Sequence, residues 1–366
     1  MLPTLLLLLA GWPALTATEP LPPAPFPSDE PARAEASRGE APPPRVGFRR
    51  IGLHPRPSYR PNDPNRPTVC LIHGINSTSG SFVHLAPLLE REGYGVVLYD
   101  YPYNQELSRT IPAFVESLRS FRNQHRDERP WGMLCHSMGA LLARSYVEGP
   151  EYADDVAALI LIGPPNAGSA LAPAQDMIQV LEAFRASIDP EGRTLMVLGE
   201  RIGAAAKDLA PGSTFLSRLA RNRPRDGVPY YILAGDVGFL TKEVRKTIEA
   251  QYRQVQRRAG FLGELAGLAL RNLPEVLDVL TEGTGDGAVA VASTRLEGAT
   301  EHVVIPVNHV ELIRGPIFYP NPGPVACHPF VSRWLAESLP ITTLTEVKAE
   351  TEAEVEAVVE VGGNGS

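Results

Sequence analysis

The run Trp131-Gly132-Met133-Leu134-Cys135-His136-Ser137-Met138-Gly139-Ala140-Leu141-Leu142-Ala143 decides the fold. Met133 and Leu134 read as part of a buried parallel strand, and residues 140–143 as the apolar start of a helix that begins near Met138. His136, Ser137, Met138 and Gly139 must then reverse the chain in very little space. Such an elbow strains the backbone at Ser137 and pushes its hydroxyl out of the carboxyl edge of the sheet. The helix that follows points its first N–H groups at the same spot, where they can hydrogen-bond an oxyanion as it forms. One stretch thus supplies a nucleophile and half of an oxyanion hole.

Outward from this run, strands and helices alternate. Upstream, residues 68–72 form an apolar run of strand length that ends in His73-Gly74-Ile75-Asn76. A helix with Phe82, Leu85, Leu88 and Leu89 at helical spacing follows, then a strand over 94–100. The next helix, over 108–127, carries Ile111, Phe114, Val115, Leu118 and Phe121 on one face. Downstream, strands are expected over 156–162, 228–234 and 301–307, with a closing helix over 330–339 and an edge strand over 45–51. This alternation predicts an α/β fold: a doubly wound, mostly parallel sheet with helices on both faces. Two helical insertions, at about 171–222 and 237–283, leave the sheet at its carboxyl edge, where a cap or lid belongs.

The ends have a different composition. Residues 1–18, with the leucine-rich run from Leu5, read as a secretory signal peptide, and residues 19–45 as a Pro-rich disordered linker. The folded domain is expected over 46–340, and 341–366 form an acidic low-complexity tail. Export, to the periplasm or beyond the cell, is the expectation. A net charge of −8 and a pI near 5.6, without a basic patch, give no footprint for nucleic acid. Cys70, Cys135 and Cys327 cannot all pair and read as buried thiols. No cluster has zinc-like spacing, so neither metal nor cofactor is expected.

An elbow serine needs a base, and the base needs an acid to hold it. His309, in Pro306-Val307-Asn308-His309-Val310-Glu311-Leu312, is the one histidine of eight that lies both after the elbow and at a strand's carboxyl end. His328 is its nearest rival but falls beyond the last strand. Two carboxylates compete for the acid. Asp236 ends the strand over 230–234, and Asp286 sits on the turn Gly285-Asp286-Gly287-Ala288-Val289.

The elbow resembles the nucleophile elbow of the α/β-hydrolase superfamily, with Cys135 in place of the usual first glycine. A small residue suffices there. Spaced motifs over roughly 66–339 resemble, more narrowly, bacterial triacylglycerol lipases of the Pseudomonas and Bacillus type. His73-Gly74-Ile75 matches their oxyanion segment, Asp286-Gly287-Ala288-Val289 their acid turn, and Asn308-His309-Val310-Glu311 the segment of their base. Pro165-Asn166-Ala167-Gly168-Ser169 is similar to their loop after the elbow helix. The resemblance implies an α/β-hydrolase fold and cleavage of ester or lipid substrates through an acyl-enzyme. Ser137 would be nucleophile, His309 base and Asp286 the acid in preference to Asp236, with the N–H groups of Ile75 and Met138 as oxyanion donors. In Pseudomonas-type lipases an acidic residue two positions after the base helps hold calcium. Glu311 stands there without partner ligands and reads as a solvated or capping carboxylate. An acyltransferase on the same triad and a catalytically idle binding protein are the alternatives.

The second insertion carries an apolar stripe of Leu262, Leu265, Ala269, Leu273, Val276 and Leu280, and Pro274 is expected to kink or divide its helix. It reads either as a cap packed on 171–222 or as a lid that touches a lipid surface, aided by the basic stretch 242–258.

Overall fold

Apolar runs too short for helices become the centre of a sheet. In chain order the elements are β1 (Gly52–Pro55), β2 (Thr68–Ile72), α1 (Leu85–Arg91), β3 (Gly95–Asp100), α2 (Leu107–His125), β4 (Trp131–His136), α3 (Met138–Val147) and β5 (Val156–Ile162). They continue with α4 (Ala205–Leu209), α5 (Thr214–Leu219), β6 (Tyr230–Gly235), α6 (Lys242–Arg258), α7 (Leu273–Leu280), β7 (Glu301–Ile305) and α8 (His328–Ser338). The structure, a computed structural model, describes residues 51–172, 204–258, 272–314 and 324–341. The segments read as signal peptide, linker and acidic tail lie outside them, as do 173–203 and 259–271 of the two insertions.

The strands lie in the order β1-β3-β2-β4-β5-β6-β7. Only β1 runs antiparallel, against β3, and every other pairing is parallel. Side chains alternate between two helical layers, as the pleat requires. Cys70, Ile72, Val97, Tyr99, Met133, Cys135, Leu159 and Leu161 pack with Phe114 and Leu118 of α2 and Leu141 and Leu142 of α3. Val69, Leu71, Val96, Leu98, Leu134, Ile160 and Ile162 face the other way, onto Leu85 and Leu89 of α1 and Trp334 and Leu335 of α8. Burial on both faces is why these strands are continuous apolar runs rather than alternating ones. Chain order reverses between β2 and β4, so the loops leaving their carboxyl ends part there and open a crevice.

The edge strand among the described residues is Gly52–Pro55, and Gly52 faces Asp100, the last residue of β3; positions 45–50 of the segment read as an edge strand lie outside the described residues. Pro274 stands in the first turn of α7, where its missing N–H breaks no helical bond; residues 259–271, the part of the expected helix before it, lie outside the described residues. The second insertion has its own cluster, in which Leu240, Val244 and Ile248 meet Val276, Leu277 and Leu280 together with Ala170 and Leu171, where the first insertion begins. In the basic stretch, Arg245 is tied by ion pairs to Glu249 and Asp278, at 2.8 and 2.7 Å. Leu262, Leu265 and Ala269 lie outside the described residues. No helix among the described residues is long and apolar enough to cross a membrane.

Candidate active site

The elbow between β4 and α3 is as tight as the sequence requires. Ser137 adopts φ 53° and ψ −125°, outside the regions that a side chain favours. A conformation of this kind costs roughly 1–3 kcal/mol. It is held because both flanks are locked: the Ser137 N–H donates to Ile162 O at 2.9 Å, and Met138, Leu141 and Leu142 are buried at once. Each such apolar side chain contributes about 1.5–3 kcal/mol, enough to offset the strain. Gly139 is obligatory at the bend, since a Cβ there would stand 2.5 Å from His73 O. The helix therefore starts against the loop that follows β2.

That loop carries Ile75, and its anchor was not foreseen from sequence. His73 stacks on Tyr101 with ring centroids 4.3 Å apart, and the Tyr101 hydroxyl donates to His73 O at 2.7 Å. The His73 ring donates from Nδ1 to Gly74 O and accepts the Tyr101 N–H at Nε2, a pattern that assigns the neutral tautomer. Asp100, at the end of β3, accepts the N–H and hydroxyl of Ser79 at 2.7 and 2.6 Å. Among the described residues neither the Ile75 nor the Met138 N–H has an acceptor, and Met138 opens its helix, where none is available one turn back.

His309 follows β7 on the turn 309–314, capped by Asn308, whose Oδ1 accepts the N–H groups of Val310 and Glu311. Its Nδ1 donates to Asp286 Oδ2 at 2.7 Å. Asp286 is 1% exposed, and its other oxygen accepts the N–H groups of Ala288 at 2.9 Å and Val289 at 2.7 Å. The His309 N–H also donates to Asp286 O, so the two segments are joined through main chain and side chain alike. Asp236 does not take part. Its N–H and carbonyl hold Ile305 and Gly283, and its carboxylate makes no bond among the described residues. Gly163, at φ +58°, leaves room for the His309 ring, as a Cβ there would stand 2.9 Å from His309 Cε1.

Ser137 and His309 line one cavity of about 310 Å³, together with Ile75 and Asn76 from the loop after β2. Ser137 Oγ makes no hydrogen bond among the described residues. Leu171, Ala172, Leu209 and Val289 give the cavity apolar lining. The loop 165–169 is clipped to the turn carrying Asp286, because Ser169 Oγ donates to Ala288 O at 2.6 Å. Asn166 accepts from buried Arg144 at 2.9 Å and donates to Thr294 O at 2.8 Å. Among the described residues no group of three or more His, Cys, Asp or Glu side chains could hold a metal ion.

His136, next to the serine, escaped the sequence reading. Its Nε2 donates to His309 O at 3.1 Å and its ring lies 4.7 Å from that of His309. Burial holds its pKa well below the ordinary value, and the charges of His309 and Arg314 act in the same direction. Burial also lowers the pKa of His73, against the opposing pull of the Gly74 carbonyl and Asp100. Both rings are therefore neutral in the folded protein and protonate first in the unfolded one, near pH 6.5. Stability should be level above that pH and fall as pH drops from about 6.5 toward the lower folded values. Melting temperatures measured between pH 8 and pH 5 should decline only in the acid half, less steeply for His136→Gln. A flat profile would contradict the neutral pair.

The alpha/beta hydrolase fold family matches residues 67–197, from β2 into the first insertion. A Bacillus licheniformis lipase in its mature form aligns with a TM-score of 0.50 at 18% identity, covering 78% of this chain and 97% of that one. This chain has the α/β-hydrolase fold. The propeptide form of that lipase gives 0.48 at 20% identity, over 80% of this chain and 54% of the other. A monoacylglycerol lipase from Paleococcus ferrophilus gives 0.42 at 16%, over 80% and 99%. Curated proteins gave no match.

Proposed function

We propose that this α/β hydrolase cleaves carboxylic esters through a covalent acyl-enzyme. The observation that carries the reading is the Asp286–His309 hydrogen bond of 2.7 Å at the cavity into which the strained Ser137 elbow opens. With its proton on Nδ1, held by Asp286, His309 keeps the Nε2 lone pair for the proton of Ser137. Ser137 Oγ attacks the acyl carbon, and the N–H groups of Ile75 and Met138 hydrogen-bond the oxyanion, each worth ~3 kcal/mol of barrier. His309 then protonates the leaving alcohol, and water, deprotonated by the same ring, releases the acid. The apolar wall of Leu171, Ala172 and Leu209 suits an acyl chain. Support also comes from the similarity in fold to a lipase.

At about 310 Å³ the cavity is at the small end of the range for small-molecule sites, which favours short or medium acyl chains over long ones. A series of p-nitrophenyl esters from two to sixteen carbons should peak well short of the longest, without a jump as the substrate aggregates. A fluorophosphonate probe should label one serine. An activity that rises only on aggregated long-chain substrate would favour the lid reading of the second insertion, and an absence of both hydrolysis and labelling would end the esterase reading. Added alcohol separates the transferase alternative, which would yield a new ester in place of free acid.

A further inference from the structure

One full charge lines the cavity. Arg314, five residues beyond His309 on the same turn, projects into it with Ile313 and Val310, and no carboxylate lines the described wall. The guanidinium is half-buried, and among the described residues it makes neither an ion pair nor a hydrogen bond. The contrast with other arginines is plain: Arg144 meets Glu148 at 2.7 Å, Arg245 meets Asp278 at 2.7 Å and Arg56 meets Glu90 at 2.7 Å. Burial alone presses the Arg314 pKa below the guanidinium value, with no acidic neighbour to offset it. An arginine does not escape desolvation by losing its proton, so a charge held this way is complete only with an anion beside it.

The lining is mixed. Leu171, Ala172 and Leu209 are apolar, whereas Arg314 shares the turn of His309, which in the esterase reading hands a proton to the departing alcohol. Asn76, at the same cavity, has a side-chain oxygen that is buried without a partner, an acceptor left for a donor such as a hydroxyl of the alcohol portion and not for its anionic group. We propose that the alcohol portion of the substrate carries an oxyanion, a phosphate or a carboxylate, and that Arg314 is the residue that selects it. This rests on the esterase reading. A planar guanidinium offers two parallel donors to either group, which makes it a specificity determinant rather than a participant in bond cleavage.

The full chain would be assayed on three butanoyl esters: the glycerol monoester, its glycerol phosphate counterpart and the ester of a short hydroxy acid. The wild type should prefer an anionic ester over the neutral one by about tenfold to a hundredfold in kcat/KM, mostly through KM, as charged hydrogen bonds predict. The larger of the two anionic ratios identifies phosphate or carboxylate as the natural group. In Arg314→Gln that ratio should fall to about one or below, and Arg314→Lys should retain part of it. Inorganic phosphate should slow fluorophosphonate labelling of the wild type and not of Arg314→Gln, a readout that also stands if turnover is low. A wild-type ratio near one, or a ratio that survives Arg314→Gln, overturns the proposal while leaving the esterase intact. No hydrolysis of any ester and no labelling would overturn the esterase reading and this one with it.

Discussion

Ser137→Ala is expected to remove ester hydrolysis and fluorophosphonate labelling together, with a loss in turnover of about a millionfold, the scale seen when a triad nucleophile is deleted. The fold should survive. Alanine keeps the Cβ, so the backbone strain at φ 53° is unchanged, and the lost hydroxyl leaves no protein partner unsatisfied among the described residues. A melting temperature within a few degrees of the wild type, measured with the activity, separates chemistry from unfolding. Hydrolysis at the wild-type rate in this variant would move the nucleophile elsewhere.

Asp286→Asn should cost about ten-thousandfold in turnover, and the geometry says why. Oδ1 is pinned by the N–H groups of Ala288 and Val289, so an asparagine would keep its oxygen there and turn its NH₂ toward His309. The His309 Nδ1 would then have to accept instead of donate, placing the ring proton on Nε2. A base in that tautomer has no lone pair for Ser137. Asp236→Asn should change turnover by less than about threefold, because its carboxylate bonds nothing among the described residues and surface substitutions of this kind are close to neutral. Steady-state kinetics of the two variants side by side decides the matter. The reverse ranking would hand the acid role to Asp236.

Much of the fold is readable in local sequence because its determinants are local. The runs over 69–72, 131–135 and 156–162 carry no charged or hydrogen-bonding side chain apart from the Trp131 indole because both faces of those strands are covered, and the helix of 107–125 shows its stripe at Phe114, Leu118 and Phe121. The elbow is readable for the same reason, since a strand and a helix separated by one residue leave no other path for the chain. His309 could be picked out by its place at a strand end. Short edges are less legible, because the pairing of β1 depends on where β3 stops, which is a contact between residues far apart in the chain and not a local pattern.

By itself, then, the sequence determined the alternation of strands and helices, the turn at Ser137 and the order of serine, acid and histidine, all consequences of patterns a few residues long. Tertiary structure decided which carboxylate meets His309. Asp236 and Asp286 both leave the sheet region on turns, and only the clamp between the 286–289 turn, the 165–169 loop and the 309–314 turn brings one of them to Nδ1. It also decided that His136 backs His309, that Asp100 and Tyr101 hold the loop of Ile75, and that Arg314 enters the cavity without a counter-charge among the described residues. Those contacts join residues 21 to 173 positions apart, and spacing along a chain carries no record of which distant groups the packing of two helical layers will press together.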